Sequence, residues 1–268
     1  MLICPICHLP LNLTNKTYQC ANQHSFDVAK EGYVNLHVVQ HKKSKNPGDT
    51  PEAVQARRAF LSAGYYQPLK DAISQMAKKL NPNTVLDIGC GEGYYTQGLI
   101  KEAGQVIGLD IAKSAIQTAA KADKAHRITW VVGTGAVLPV ADGSIDACTS
   151  VFSPLPKDEM LRVLRDGGYL MVASAAPNHL YAMREALFGK VIVHEPAKSI
   201  QKLAPEFELI DQAHIIAPMQ LDNTALKQLI AMTPYAYKAK ADRRAMLESL
   251  EHFSVQGEFC LFVFQKVK

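Results

Sequence analysis

Thr84-Val85-Leu86-Asp87-Ile88-Gly89-Cys90-Gly91-Glu92-Gly93-Tyr94-Tyr95 is the stretch from which the fold can be read. It predicts a strand over 84–88, a glycine-rich turn, and a helix over 94–102. Upstream, residues 65–80 read as a helix. Downstream, strands are expected at 105–110, 128–132, 144–152 and 168–173, with helices at 112–122 and 157–164 between them. Repeated strand and helix units require right-handed crossovers and a mostly parallel sheet with helices on both faces, an α/β fold. Residues 209–218 and 257–267 also have strand character and flank a helical region, as an added antiparallel strand at the sheet edge would. Ligands bind beyond the carboxyl ends of such strands, where glycines let the backbone approach closely. A dinucleotide fingerprint would put its third glycine at position 94. Here it comes one position early, at Gly93, so the loop departs from that fingerprint.

The chain has 268 residues, 48% hydrophobic and 20% charged, enough apolar material for one large domain and a smaller one. It has no spanning apolar stretch and no basic leader, so a soluble cytoplasmic protein is the expectation. Net charge is +4, and residues 1–70 carry all of it, with eight Lys/Arg against four acids. An anionic partner is therefore sought at the N-terminal end. Three of the six cysteines crowd the first twenty positions, which suits metal ligation in a reducing compartment better than a disulfide framework. Cys4 and Cys7 form one close pair and Cys20 and His24 another, separated by a loop of twelve residues. Two such pairs can enclose a tetrahedral Zn²⁺ with no open position, a structural site. His8 competes with His24 for the fourth place, but its adjacency to Cys7 makes it the poorer ligand. Residues 26–36 read as a turn and strand leading out of this knuckle. The stretch 41–49 then reads as an exposed basic loop that ends at a helix start capped by Asp49 or Thr50, with Pro51 in the first turn. Lys42, Lys43, Lys45, Arg57 and Arg58 in this region are candidates for phosphate contact, with solvated surface as the plain alternative.

Asp87-x-Gly89-x-Gly91-x-Gly93, with Asp110 ending the next strand, resembles the S-adenosylmethionine site of class I methyltransferases. That resemblance implies a glycine turn beside the methionyl part and Asp110 against the ribose hydroxyls, with Asp87 in a lesser role. The turn before Leu138-Pro139 and the run 162–170 are similar to pieces of the same superfamily. Over its whole length the chain resembles the RlmA family of bacterial 23S rRNA guanine-N1-methyltransferases, on the Gram-negative branch. The residues that carry this are Cys4-Pro5-x-Cys7-His8, Phe26-Asp27-x-Ala29-Lys30-Glu31-Gly32-Tyr33-Val34-Asn35-Leu36, His41-Lys42 with Pro47-Gly48-Asp49, Ala56-Arg57-Arg58-Ala59-Phe60-Leu61, and the glycine loop. The resemblance implies Cys4, Cys7, Cys20 and His24 as zinc ligands, and Tyr66, Gly91, Glu92 and His179 around the cofactor. It also implies a hairpin of 23S rRNA, helix 35, as substrate, and a homodimer. Where the family pattern has Tyr-Ala-Pro this chain has Phe152-Ser153-Pro154, so a ring for stacking on the base is kept and a hydroxyl is lost.

Methyl transfer from a sulfonium is an in-line displacement in which positioning dominates. Guanine N1 carries a proton that must leave to water or a base, and Asp158 and Glu159 are candidates, although acids at a helix start also serve as caps. A paired guanine hides N1, so the target must be a loop base or one flipped out of its stack. The expected division is a zinc-binding RNA-recognition module over 1–36, a basic linker and helix over 37–63, and a methyltransferase domain over 64–268. Two other readings share part of these features. One is a methyltransferase of a quinone or lipid headgroup, which leaves the cysteine cluster and localised charge without a purpose. The other is a non-catalytic zinc and RNA-binding protein.

Overall fold

A computed structural model describes residues 1–38 and 48–267. The N-terminal hairpin is formed by β1 (Asn12–Thr14) and β2 (Thr17–Gln19), joined through Asn15 and Lys16, both left-handed as a two-residue hairpin turn demands. β3 (Ser25–Asp27) pairs with β2 to complete a three-stranded sheet.

The remaining strands form one eight-stranded sheet. They are β4 (Tyr33–Asn35), β5 (Thr84–Ile88), β6 (Gln105–Asp110), β7 (Ile128–Val132), β8 (Ile145–Val151), β9 (Leu164–Ala175), β10 (Phe207–Asp222) and β11 (His252–Lys266). Their order is β10-β11-β9-β8-β5-β6-β7-β4. From β9 to β4 every pairing is parallel, while β11 runs antiparallel to both β9 and β10. Strands β5 and β6 therefore match the expected spans, and the antiparallel edge consists of two long strands. The chain passes from β5 outward to β6 and β7, then returns to the other side of β5 for β8. This reversal opens a crevice at the strand ends.

Helices α1 (Pro51–Ser62), α2 (Gln67–Leu80), α4 (Lys113–Ala122) and α5 (Lys157–Val163) follow the sequence pattern. Thr50 caps α1 by accepting from the Ala53 N–H. Leu69, Ile73 and Ala77, one turn apart, are the buried face of α2, and Asn81 ends the helix in the left-handed conformation. The helix expected over 94–102 is a single turn, α3 (Thr96–Leu99), because Gly98 stands inside it and weakens it. The C-terminal part adds α6 (Tyr181–Phe188), α7 (Pro196–Ile200), a 3-10 turn at Gln201–Leu203, α8 (Asn223–Ala231), α9 (Tyr235–Lys238) and α10 (Ala241–Glu248). None of the described helices is long and apolar enough to cross a membrane.

Alternate residues of the central strands feed two apolar clusters, one on each face. Val85 and Val106 belong to one, Leu86 and Ile107 to the other. The second cluster also contains Leu2, Cys4, Leu11 and Cys20, so the knuckle shares the core of the large sheet. Two backbone bonds reinforce the seam: Ile3 N–H donates to the Pro139 carbonyl (3.0 Å) and Ala141 N–H to that of Met1 (2.8 Å). Strand β4, which lies within the segment read as part of the first module, is hydrogen-bonded into the large sheet as its edge, parallel to β7.

Candidate active site and metal centre

The metal centre forms where the turn after Ile3 meets the β2–β3 turn. The donor atoms of Cys4, Cys7, Cys20 and His24 all lie within 4.8 Å of one another. Cys4 Sγ and Cys20 Sγ are each 3.5 Å from His24 Nδ1, and Cys7 Sγ is 3.6 Å from Cys20 Sγ. Bonds of about 2.0–2.3 Å to a tetrahedral zinc put neighbouring ligand atoms about 3.3–3.8 Å apart. The four donors fit that ion. His8 lies outside this set: it is exposed, in the left-handed conformation, and its N–H bonds back to the Cys4 carbonyl.

At the carboxyl ends of β5, β6, β8 and β9 lies a cavity of about 1140 Å³. One wall is the glycine loop. Gly89, Gly91 and Gly93 all have positive φ, and two of them are confined as well: a Cβ at Gly89 would strike Ser153, and one at Gly93 would strike Trp130. Gly91 differs. Its missing Cβ would meet only Arg57 Nη1, at 3.9 Å, so its backbone is open to the cavity. Asp110 holds the loop through one oxygen, accepting from Gly91 N–H (2.9 Å), while the other accepts from Ala112 N–H (2.7 Å) just after its own strand. Burial raises the Asp110 pKa above the ordinary range, opposed by these two bonds. Asp87 is buried beneath the loop and accepts from the hydroxyls of Thr96 (2.6 Å) and Thr149 (2.7 Å). Burial outweighs those bonds and pushes its pKa up to about 6. Arg57 reaches this wall from α1. It pairs with Asp49 at 2.5 Å and donates to the Met232 carbonyl at 3.2 Å. Burial opposes its charge, and Asp49, Glu92 and Asp110 more than offset that.

A second part of the lining is aromatic. Phe152, at positive φ and 48% exposed, stands 5.8 Å from Phe259 and 6.1 Å from His179, ring centre to ring centre. Tyr66 is buried, edge-on to Phe259 at 4.7 Å and 6.2 Å from His179. His179 Nδ1 lies 2.9 Å from the Glu258 carbonyl oxygen and 3.2 Å from its amide nitrogen, while buried Arg184 donates to the carbonyls of His179 and Ile192. Burial, then His194 and Arg184, drive the His179 pKa down to about 3, so the ring is neutral at physiological pH.

Tyr66, Asp87, Gly89, Gly91, Glu92, Asp110, Phe152 and His179, drawn from distant parts of the sequence, thus line one cavity. Arg57 joins them instead of facing outward, whereas Arg58 is exposed and away from the cavity. Gly93 serves packing on Trp130 and does not line the space. Lys42, Lys43 and Lys45 lie outside the described residues. Neither expected base lines the cavity. Asp158 is exposed at the start of α5. Glu159 accepts from Leu138 N–H (2.5 Å) and from Arg162, which also donates to the carbonyls of Leu138 and Val140. This carboxylate is committed to holding the ledge 138–140. Sequence reasoning missed Asp49, Tyr95, Ser174, Lys202, Tyr235 and Tyr237 as cavity residues; Thr233-Pro234-Tyr235, a break with an aromatic after α8, was the available signal.

The donor set suits S-adenosylmethionine. Asp110 offers a carboxylate at the tip of the second strand, and Gly91 permits close approach. The buried polar atoms Glu92 Oε2, Tyr95 Oη and Ser174 Oγ have no hydrogen-bond partner among the described residues, and all three residues line the cavity. Buried polar atoms left unpaired are costly in a finished core and expected where a polar ligand enters.

Residues 2–45 match the N-terminal zinc ribbon of RlmA, and residues 85–168 match a methyltransferase domain. A 23S rRNA (guanine(748)-N(1))-methyltransferase of Streptomyces fradiae is 34% identical over 91% of this chain and 88% of its own length. A relative in Micromonospora griseorubida, provisionally named a 23S rRNA (guanine-N(1)-)-methyltransferase, is 31% identical over 88% of this chain and 86% of its own. The solved structure of YcgJ from Bacillus subtilis, 16% identical, covers 74% of this chain and 99% of its own with a TM-score of 0.53, which speaks to the fold alone. The likeness to the rRNA enzymes runs through knuckle and sheet together, and on that ground the chain belongs to the RlmA family of 23S rRNA (guanine-N1)-methyltransferases.

Proposed function

We propose that this enzyme transfers the methyl group of S-adenosylmethionine to N1 of one guanine in the helix 35 hairpin of 23S rRNA, the displaced N1 proton leaving to water, with a structural zinc in the N-terminal knuckle. The observation that carries the reading is a single cavity lined by both a polar glycine loop and aromatic side chains, in a chain whose full-length relatives bear the names of rRNA guanine-N1-methyltransferases. The bound cofactor supplies an electrophilic methyl on sulfur. Asp110 accepts hydrogen bonds from the ribose hydroxyls. Gly89 and Gly91 give the backbone room beside the methionyl part, Gly93 and Asp87 shape the loop from below, and Glu92, Tyr66 and His179 complete the enclosure. His179 contributes as a neutral ring, since its charged form is strongly disfavoured. Phe152 provides the face on which the flipped guanine stacks.

Residues 1–36 recognise RNA, residues 37–63 carry the basic linker and first helix, and residues 64–268 hold the cofactor. In this division Lys42, Lys43, Lys45 and Arg58 contact phosphates, and the enzyme acts as a cytoplasmic homodimer. Arg57 supports the RNA side indirectly, through Asp49 and the Met232 carbonyl.

The test is reverse transcription across 23S rRNA incubated with the cofactor, with and without the protein. N1-methylguanine cannot pair, so a new stop one nucleotide before a helix 35 guanine is the expected result. No new stop anywhere in the rRNA would defeat the proposal. Deleting residues 1–36 is a poor probe of docking, because it removes β4 from the large sheet. Alanine at Lys42, Lys43 and Lys45 is the cleaner variant.

A further inference from the structure

Outside the expected basic segment, the stretch after α8 holds a second concentration of cations around exposed aromatics. Residues 235–244 read Tyr235-Ala236-Tyr237-Lys238-Ala239-Lys240-Ala241-Asp242-Arg243-Arg244, four basic residues against one acid. The two tyrosines sit differently. Tyr235 anchors the turn: its ring meets Phe188 edge-on at 5.7 Å, and its hydroxyl is 3.2 Å from His194 Nε2. Tyr237, two residues on and so on another side of the helical turn, is 75% exposed and has no ring partner among the described residues, yet it lines the cavity. A phenol left this open adds little to folding.

The cations divide in the same way. Arg244 is neutralised by Glu248 at 2.6 Å, and the Arg243 guanidinium lies across Gly189. Lys238 and Lys240 are exposed and in no ion pair among the described residues, as is Lys202, which lines the cavity from the 3-10 turn. The geometry of the rim is held from the cofactor side, because Arg57 bonds the Met232 carbonyl at the end of α8, where the chain turns into this stretch.

From this we infer that Tyr237, with Lys202, Lys238 and Lys240, forms an RNA-binding lip at the cavity mouth: Tyr237 stacks the base next to the target guanine, and the lysines neutralise the flanking phosphates. The inference rests on the proposed rRNA reading and extends it to residues that neither the glycine loop nor the knuckle contains. An exposed ring beside unpaired cations is how proteins hold unpaired nucleotides, since every base has a face to stack and every linkage a charge.

The test uses the full-length protein and a fluorophore-labelled synthetic hairpin of 23S rRNA carrying the target guanine. RNA affinity is measured by anisotropy at several salt concentrations, methylation kinetics on the same hairpin, and S-adenosylmethionine affinity by calorimetry. Tyr237→Ala is expected to weaken RNA binding and raise the KM for RNA about tenfold, with cofactor affinity unchanged. Tyr237→Phe, which keeps the ring, restores RNA binding. The double variant Lys238→Ala/Lys240→Ala lowers the slope of log affinity against log salt by about 1.4, two phosphate contacts on a single strand. RNA affinity within twofold of wild type in Tyr237→Ala assigns the lip to something other than RNA and overturns the inference. So does equal weakening by Tyr237→Phe, or a parallel fall in cofactor affinity. If wild-type protein neither binds nor methylates the hairpin, the rRNA reading itself fails and the lip with it; if it does both while the variants match it, only the lip fails.

Discussion

The knuckle and the cavity are both built from short turns at strand ends, yet their polar groups are arranged in opposite ways. In the knuckle four donors face one another within 4.8 Å, a closed set that one tetrahedral ion satisfies. In the cavity Glu92 Oε2, Tyr95 Oη and Ser174 Oγ are buried without hydrogen-bond partners among the described residues, an open set that needs a ligand from outside. Closure marks a group whose work is structural, and openness marks the place of chemistry. The two regions meet at the ledge 134–141. Its first residues line the cavity, while its last are hydrogen-bonded to Met1 and Ile3 and clamped by Arg162 and Glu159.

The largest expected effect is on the closed side. Stripping zinc with a chelator, or Cys4→Ser, should lower the melting temperature by about 10 °C or more, because metal binding supplies folding energy to a segment that shares the large core. Metal content and melting are measured on the same sample; an unchanged melt after complete metal loss would break the contrast. Within the glycine loop, Gly93→Ala should cost about 3–4 kcal/mol of stability, positive φ added to a collision with Trp130, as followed by urea unfolding. Gly91→Ala should cost only about 1–2 kcal/mol of backbone strain but at least tenfold in S-adenosylmethionine affinity, since its new methyl enters the cavity. If both glycines lose stability and affinity in the same proportion, the loop has no open side.

Arg162→Ala removes the clamp on the Leu138 and Val140 carbonyls and should destabilise the fold by about 2 kcal/mol in urea titrations, with a smaller loss of cofactor affinity through the ledge. A fully retained stability would show that the ledge is held by the knuckle alone. The remaining effect is a pH dependence. The Asp87 pKa is raised to about 6 when folded, so between the ordinary carboxylate range and pH 6 the native state binds the extra proton. Stability from this group is fully present below the ordinary carboxylate range and is lost as pH rises through 6, by about 2 kcal/mol between pH 4.5 and 7. Asp87→Asn should flatten that part of the stability curve, measured by urea unfolding at pH 4.5 and 7; an unchanged slope would remove Asp87 as its source.

Legibility followed the same divide. The knuckle and the glycine loop were readable because each is written in a few adjacent residues: two ligand pairs at fixed spacing, and glycines where the backbone must turn with positive φ. The helix over 94–102 was over-read, since Gly98 weakens its pattern from within. The strand over 209–218 was under-read: β10 runs Phe207–Asp222 because a long partner, β11, pairs along its whole length. The sequence places Arg57 in a basic run, as a candidate for phosphate contact. Three carboxylates contributed by other segments, Asp49, Glu92 and Asp110, draw it into the cavity wall.

Residue type and spacing along the chain were therefore enough to specify the α/β class, the glycine turn and acids at the ends of the first two central strands, and the Cys4, Cys7 and Cys20 cluster with His24 favoured over His8 as its fourth donor, because these depend on local backbone geometry and on periodic burial. The aromatic wall, the commitment of Glu159 to the ledge and the joining of the knuckle to the sheet arise from long-range packing. Phe152, His179, Ser174 and Tyr237 come from separate segments that meet only when β9 and β11 pair and α8 docks, and no pattern within any one segment encodes that meeting.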